Sequence, residues 1–307
     1  MKWLSVFPGL VGLIFASCAT GVPEIEVADL YFKLGSAYFD LAQYDNAVSA
    51  YSQALDLDST LVKAGYNLAH VYLETGRLEE AKRMLESLMA DEPDNTILLS
   101  TLAWATYREG DLEGALALYE QVRDKLEGDP DTLFNAATLL WELERYEEAL
   151  SGFLELYELD QSSEYLSVIS ELYAATGDAD KAIVYLERFI VERPAPSAEK
   201  ISLAILYEDV RDYGKSVAMF DEIIEESEEV DPQVHFDRAR ILLVYIEDYI
   251  GGVEGIEAAL TGGYSDRSAI DQLTELLPTA VSDEIIALAN RLGLSADVPV
   301  PEGVSTE

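Results

Sequence analysis

Cysteine and histidine are nearly absent from this chain of 307 residues, which contains one cysteine and two histidines. With Cys18 alone, no disulfide framework can form within the chain. The two histidines, His70 and His235, are far apart in sequence. A phosphate-binding glycine loop, a His-Glu-x-x-His zinc motif and a dinucleotide fingerprint are all missing. We therefore expect no catalytic residues, no metal site, no cofactor and no enzymatic activity.

Basic residues are also scarce, because 20 Lys and Arg stand against 59 Asp and Glu, for a formal net charge of −39. A chain with this charge repels phosphate backbones and anionic lipid surfaces. The composition therefore argues against nucleic-acid binding. It favours partners that are themselves basic.

Long apolar runs are missing except near the N-terminus, where a mostly apolar stretch extends from Trp3 to Phe15. This stretch is too short to span a membrane as a helix, but it suits a secretory signal. Small residues then precede Cys18, and this pattern resembles the lipobox of bacterial lipoproteins. The resemblance implies a signal peptide at 1–17, attachment of lipid such as palmitate to Cys18, and a lipidated tether at 18–27. Cleavage without lipidation and an uncleaved anchor are the alternatives.

A unit of 34 residues recurs along the chain, with small residues at fixed offsets and large apolar residues between them. The first copy begins at Ala28, and its eighth position is small in six copies: Gly35, Ala69, Ala103, Ala137, Ser170 and Ala204. The twentieth position is small in the same six: Ala47, Ala81, Ala115, Ala149, Ala182 and Ser216. These offsets resemble the tetratricopeptide repeat family, in which each repeat is a helix–turn–helix unit. The resemblance predicts an all-α fold, a right-handed α-solenoid with six stacked repeats over 28–230.

Turn residues fit this prediction, because glycines suited to a left-handed helix cap lie between the two helices of three repeats, at Gly76, Gly110 and Gly177. Gly65 and Lys200 stand where a large residue is usual, and we expect looser packing there. The register fades after Val230. Residues 231–294 are therefore predicted to form a degenerate seventh repeat with C-terminal capping helices, since terminal units of arrays are atypical. Residues 295–307 have no periodicity and are predicted to be a disordered tail.

In the tetratricopeptide fold the first helix of each repeat lines a concave groove. The resemblance therefore implies a partner-binding groove in the first four repeats, lined by Phe32, Phe39, Tyr66, Asn67, His70, Leu73, Trp104, Tyr107, Phe134, Asn135 and Trp141. The equivalent positions in the fifth and sixth repeats are mostly polar or small: Ser167, Glu171, Ala174, Ile201 and Glu208. Packing of the aromatic rings against neighbouring repeats is the alternative interpretation.

These features together predict a membrane-anchored scaffold for protein–protein interaction in the bacterial cell envelope. The lipid would hold it to the inner or outer membrane, facing the periplasm or at the cell surface. Its partner would be another envelope protein or a peptide, possibly basic. Two alternatives are binding or transfer of a small apolar ligand together with a transport system, and self-association as an envelope assembly factor. The sequence does not indicate the oligomeric state.

Overall fold

The computed structural model describes residues 23–193 and 197–294, and every regular element within them is a helix. The all-α repeat solenoid predicted from the sequence is therefore confirmed. Cys18, the signal at 1–17 and the tail at 295–307 lie outside the described residues. The chain divides into two compact units at Leu159/Asp160, and each is described separately below.

The first unit contains eight helices, joined within each repeat by turns of three residues: α1 (Glu24–Asp40), α2 (Tyr44–Leu57), α3 (Val62–Glu74), α4 (Leu78–Met89), α5 (Thr96–Arg108), α6 (Leu112–Lys125), α7 (Pro130–Glu142) and α8 (Tyr146–Asp160). Such short connections make neighbouring helices antiparallel. Polar caps set where several helices begin, because the side chain of Asn95 accepts from the backbone N–H groups of Ile97 and Leu98, and that of Asp129 accepts from Thr132 N–H.

The turn between the two helices of each repeat contains one residue in the left-handed conformation. In three repeats this residue is the predicted glycine, with φ values of 73°, 89° and 85° at Gly76, Gly110 and Gly177. The other three repeats use a residue with a side chain, at φ 54°, 58° and 62°: Ala42, Glu144 and Arg211. The six positions recur every 33 or 34 residues, so the turn geometry is kept even where glycine is not.

The small residues of the repeat allow its two helices to approach closely. A Cβ added to Gly35 would lie 2.6 Å from a ring carbon of Tyr51. The buried Ser170 hydroxyl donates to the carbonyl of Ala182 at 2.7 Å, which links the two small positions of the fifth repeat directly. The family offsets therefore mark the points of closest contact between helices.

The expectation of loose packing at Gly65 and Lys200 is wrong. Leu88 fills the space beside Gly65, since an added Cβ would lie 2.9 Å from its Cδ2. Lys200 is only 6% exposed, and its ammonium donates to Glu226 at 2.7 Å and Glu222 at 3.3 Å. A long neighbour in one case and an ion pair in the other replace the usual large apolar residue.

The second unit continues the helix–turn–helix pattern and then departs from it. Its helices are α9 (Glu164–Ala175), α10 (Ala179–Glu192), α11 (Ser197–Asp209), α12 (Tyr213–Glu226), α13 (Pro232–Ile241), α14 (Tyr249–Thr261), α15 (Arg267–Glu275) and α16 (Thr279–Arg291). Helix α13 passes directly into one π-helical turn, Leu242–Ile246, which ends at the left-handed residue Glu247. Tyr245 in this turn stacks on Tyr213, with ring centroids 4.3 Å apart. Apolar residues of α13–α16 share one core, which includes Ile256, Ile270 and Ile285.

Candidate functional site

A cleft of about 180 Å³ lies between the first helices of the third and fourth repeats, α5 and α7, in the first unit. Four of its seven lining residues are ones the sequence placed in the groove: Trp104, Tyr107, Phe134 and Asn135. The rings of Trp104 and Phe134 are 42% and 45% exposed, which is unusual for such large apolar side chains. We call this cleft the aromatic cleft.

Helical spacing and local contacts hold the rings of the aromatic cleft in place. Trp104 and Tyr107 are three residues apart on α5, so they share one face, and their ring centroids are 5.4 Å apart. The Tyr107 hydroxyl donates to Glu142 at 2.9 Å, and this hydrogen bond raises the pKa of Tyr107. Phe134 meets Phe153 edge to face at 6.0 Å. The cleft is therefore formed before any partner arrives.

A second cleft, of about 310 Å³, adjoins the first and shares Tyr119 and Asn135 with it. Tyr66, another predicted groove residue, also lines this space. Asp129 and Asp131 give it an acidic rim. The two clefts together form a continuous surface that is aromatic at one end and acidic at the other.

The remaining aromatic groove candidates form a separate group in the first two repeats. His70 meets Tyr66 at 5.6 Å and Phe39 at 6.4 Å between ring centroids, edge to face in both cases. Phe32 packs near Tyr51, and the Lys63 ammonium lies 4.4 Å from the Phe32 ring centroid. Phe32 and Phe39 are both half-buried, as packing between repeats requires.

Three predicted groove residues do not line the aromatic cleft. Leu73 is only 3% exposed and packs with Ala81 and Ala105, so its assignment to an accessible groove is wrong. Asn67 donates to the hydroxyl of Tyr51 at 3.2 Å, within the packing of the first two repeats. Trp141 is half-buried and is not part of the cleft wall. Their positions in the repeat match those of the cleft residues, but their neighbours differ.

Tyr119 is the cleft residue that the sequence analysis missed. It belongs to α6, a second helix, and it occupies a position where the repeat uses large core residues. The structure buries it to 4% exposure beneath both clefts. Burial raises the pKa of its hydroxyl to about 12. The sequence marked this residue only as a repeat landmark.

The second unit has a cleft of its own, of about 280 Å³, between the first helices of the fifth and sixth repeats, α9 and α11, with α10 beneath. Its wall consists of Ser167, Ser170, Glu171, Ala174, Leu186, Glu199, Ser202, Ile205, Leu206 and Asp209. Ser167, Glu171 and Ala174 are predicted groove positions. In the sixth repeat the prediction was wrong, because Glu208 instead accepts two hydrogen bonds from Arg240, both at 2.7 Å. We call this space the acidic cleft.

Metal binding and membrane crossing were also examined across residues 23–193 and 197–294. Over these residues, no group of three or more His, Cys, Asp or Glu side chains lies close enough to hold a metal ion. No described helix combines the length and the apolarity needed to cross a bilayer.

Comparison with known proteins identifies the family. The tetratricopeptide repeat family model matches residues 38–105 and 107–172, which include the helices of the aromatic cleft. A solved tetratricopeptide repeat protein from Parabacteroides merdae has the same fold, with a TM-score of 0.54 and 19% identity over 81% of this chain and 98% of that one. The chain is a tetratricopeptide-repeat protein. Solenoids of this class present extended binding surfaces to other proteins or peptides.

Two curated relatives show how far the sequence similarity extends. The TPR repeat-containing protein YpiA of Bacillus subtilis is 29% identical over 128 residues, 42% of this chain. An uncharacterized lipoprotein of Treponema pallidum is 28% identical over 132 residues, 43% of this chain. The matches span 30% of the Bacillus protein and 67% of the Treponema protein.

Proposed function

We propose that this protein is a scaffold that captures an extended segment of a partner protein in the aromatic cleft. The observation that carries the proposal is the exposure of Trp104 and Phe134 around a preformed cleft, because exposed aromatic rings in a concave surface are typical of binding hot spots. The partner segment would place an apolar side chain among these rings. Its basic residues would face Asp129 and Asp131 in the adjoining cleft.

We further propose that the scaffold works at a membrane of the bacterial cell envelope, tethered by lipid on Cys18. The apolar N-terminal stretch and the small residues before this single cysteine support the tether. The similarity to a Treponema lipoprotein supports an envelope location. A tether of this kind would keep the binding surface near the membrane while leaving its clefts open to water.

The lipid anchor has a direct test that is independent of partner binding. Cells expressing the chain are fed an alkyne-labelled palmitate, and incorporation is compared between the natural sequence and Cys18→Ala. Label on the first and none on the second would support lipidation. Equal labelling of both, or no label on either, would exclude Cys18 as the lipid site.

Partner capture is tested by pull-down from detergent-solubilised membranes with three baits. The first is the unaltered chain, and the second is the double variant Trp104→Ala/Tyr107→Ala. The third, a matched control, is Val184→Ala/Val191→Ala, which removes two exposed apolar side chains, 60% and 85% exposed, outside both clefts. A partner retained by the first and third baits and lost by the second supports the proposal, provided circular dichroism shows equal helical content. A partner retained equally by all three excludes the aromatic cleft.

The same experiment addresses the two alternatives. Cavities that bind small ligands typically enclose about 300–1,000 Å³. The aromatic cleft, at about 180 Å³, is smaller, which favours a peptide side chain over a whole apolar ligand. Self-association predicts a mass that rises with protein concentration, and this rise should disappear in the Trp104→Ala/Tyr107→Ala variant.

A further inference from the structure

The acidic cleft of the second unit is a possible binding site separate from the aromatic cleft. Carboxylates from two helices converge on it, with Glu171 on α9 and Glu199 and Asp209 on α11. No lysine, arginine or histidine is found among its described lining residues. The neighbouring cation, Lys200, is engaged elsewhere, since it pairs with carboxylates of α12. The cleft therefore has no counter-charge of its own.

The hydroxyl groups of the cleft add acceptors and not donors. Ser202 uses its hydrogen to bond the carbonyl of Ala198 at 3.1 Å, and Ser170 likewise bonds that of Ala182. Their oxygens keep lone pairs that can still accept. A group entering this space would meet carboxylate and hydroxyl oxygens that can only receive hydrogen bonds.

One of these acceptors is unsatisfied. The Oε2 atom of Glu199 is shielded from solvent and has no hydrogen-bond partner among the described residues. A buried polar atom without a partner costs about 1–3 kcal/mol, and more when it is charged. Burial, followed by the charge of Glu199, also raises the pKa of the Glu171 carboxyl. A cation placed between these carboxylates would remove both costs.

The arrangement favours an organic cation over a metal ion. The carboxylates do not form a group tight enough to hold one ion, as the search of the described residues for metal sites shows. A guanidinium group instead presents five N–H donors spread over a plane and is weakly hydrated. Leu186 and Ile205 supply apolar surface for the methylene stem that carries it.

We propose that the acidic cleft receives the guanidinium group of an arginine side chain from a protein partner. This assignment deepens the scaffold function and rests on it for the partner being a protein. The charge of the cleft and the unpaired Glu199 oxygen would select arginine. The apolar wall would accept its stem. A partner could then be held at two places, one in each unit of the chain.

The test uses the purified full chain with ¹³C-labelled isoleucine and leucine methyl groups, so that Ile205 and Leu186 report on the cleft by NMR. The probe is Nα-acetyl-arginine-N-methylamide. The matched probe is the citrulline analogue, which has nearly the same shape and no charge. We expect the arginine probe to shift both methyl signals with a Kd of about 1 mM, as suits a single side chain. The citrulline probe should cause no shift at the same concentration.

Variants locate the effect. Glu199→Gln keeps the shape of the side chain and should weaken arginine binding by about tenfold, the usual value of a hydrogen bond to a charged group. Asp209→Asn at the other end of α11 should weaken it as well. Asp180→Asn, on the exposed surface of α10, should leave it unchanged. If Glu199→Gln loses helical content, the Asp209→Asn result decides.

Several outcomes would overturn the assignment. Equal shifts with arginine and citrulline, or with neither, would exclude recognition of the charge. Equal binding of the lysine analogue would exclude a preference for guanidinium, and the same shifts with Ca²⁺ would indicate an ion site. Free arginine binding ten times more tightly than the blocked probe would indicate an amino-acid site. None of these results depends on Trp104 or Tyr107, so failure here is distinct from failure of the aromatic cleft.

Discussion

Exchanging glycine and alanine at the left-handed turns tests the repeat geometry directly. Gly76 has φ 73°, and an added Cβ would meet no atom within 4 Å. Gly76→Ala therefore changes backbone strain and little else. Ala42 holds the equivalent position one repeat earlier, at φ 54° on the exposed surface. Ala42→Gly is the reverse change in the same structural setting.

The expected magnitudes follow from two opposing terms. A residue with a Cβ loses about 1–2 kcal/mol in the left-handed conformation. Replacing glycine by alanine recovers about 0.4–1 kcal/mol by restricting the unfolded chain. We therefore expect Gly76→Ala to lower the free energy of unfolding by about 1 kcal/mol. Ala42→Gly should raise it by a similar amount, about 1 kcal/mol, from the same terms.

Urea denaturation followed by circular dichroism at 222 nm measures both changes. The midpoints should move in opposite directions while the slopes stay constant, because the surface exposed on unfolding is unchanged. The double variant should return to the stability of the natural chain within about 0.5 kcal/mol. Shifts of the same sign in the two single variants would show that the turns do not share one conformation, and the argument from periodicity would fail.

Three further changes test packing, burial and charge. Gly35→Ala should destabilise the chain by about 1–3 kcal/mol in urea denaturation, because the new methyl group overlaps the Tyr51 ring. Tyr119 has a folded-state pKa of about 12, above its ordinary value, so its stabilisation is complete below about pH 10 and is lost as the pH rises toward 12; denaturation midpoints at pH 8 and pH 11.5 should differ less in Tyr119→Phe. Lys200→Met should change stability by less than about 1 kcal/mol, because its carboxylate partners are exposed and can be solvated, whereas Glu226→Ala should cost more by weakening the pairing of a buried ammonium.

The fold could be predicted because its requirements are local and repeated. A small residue must lie where two helices touch, and a residue that tolerates positive φ must lie in the turn. Both requirements recur every 34 residues, so six weak signals reinforce one another. Ser170 and Ala182 illustrate this, since both matched the repeat and a direct hydrogen bond joins them. The non-glycine turns could not be predicted, because the neighbouring helices hold the turn in shape even without glycine.

The site was less predictable, because a repeat position specifies a face of a helix and not what surrounds it. Leu73 and Tyr107 hold the same position, yet Leu73 is buried against two alanines and Tyr107 reaches Glu142. Side-chain length and the neighbours from other repeats decide between these outcomes. Tyr119 shows the converse, because a core residue becomes part of a cleft when no side chain covers it. The pairing of Lys200 was equally hidden, since carboxylates are abundant throughout the sequence.

The π-helical turn at Leu242–Ile246 bears on how the length of this chain can change. The left-handed residue after it, Glu247, lies 36 positions beyond Arg211 instead of 34. A π turn holds more residues per turn than an α-helix and commonly accommodates an insertion. The additional length is thus absorbed inside a helix, and the turn that follows still forms. Insertions and deletions in such an array need not be confined to its loops.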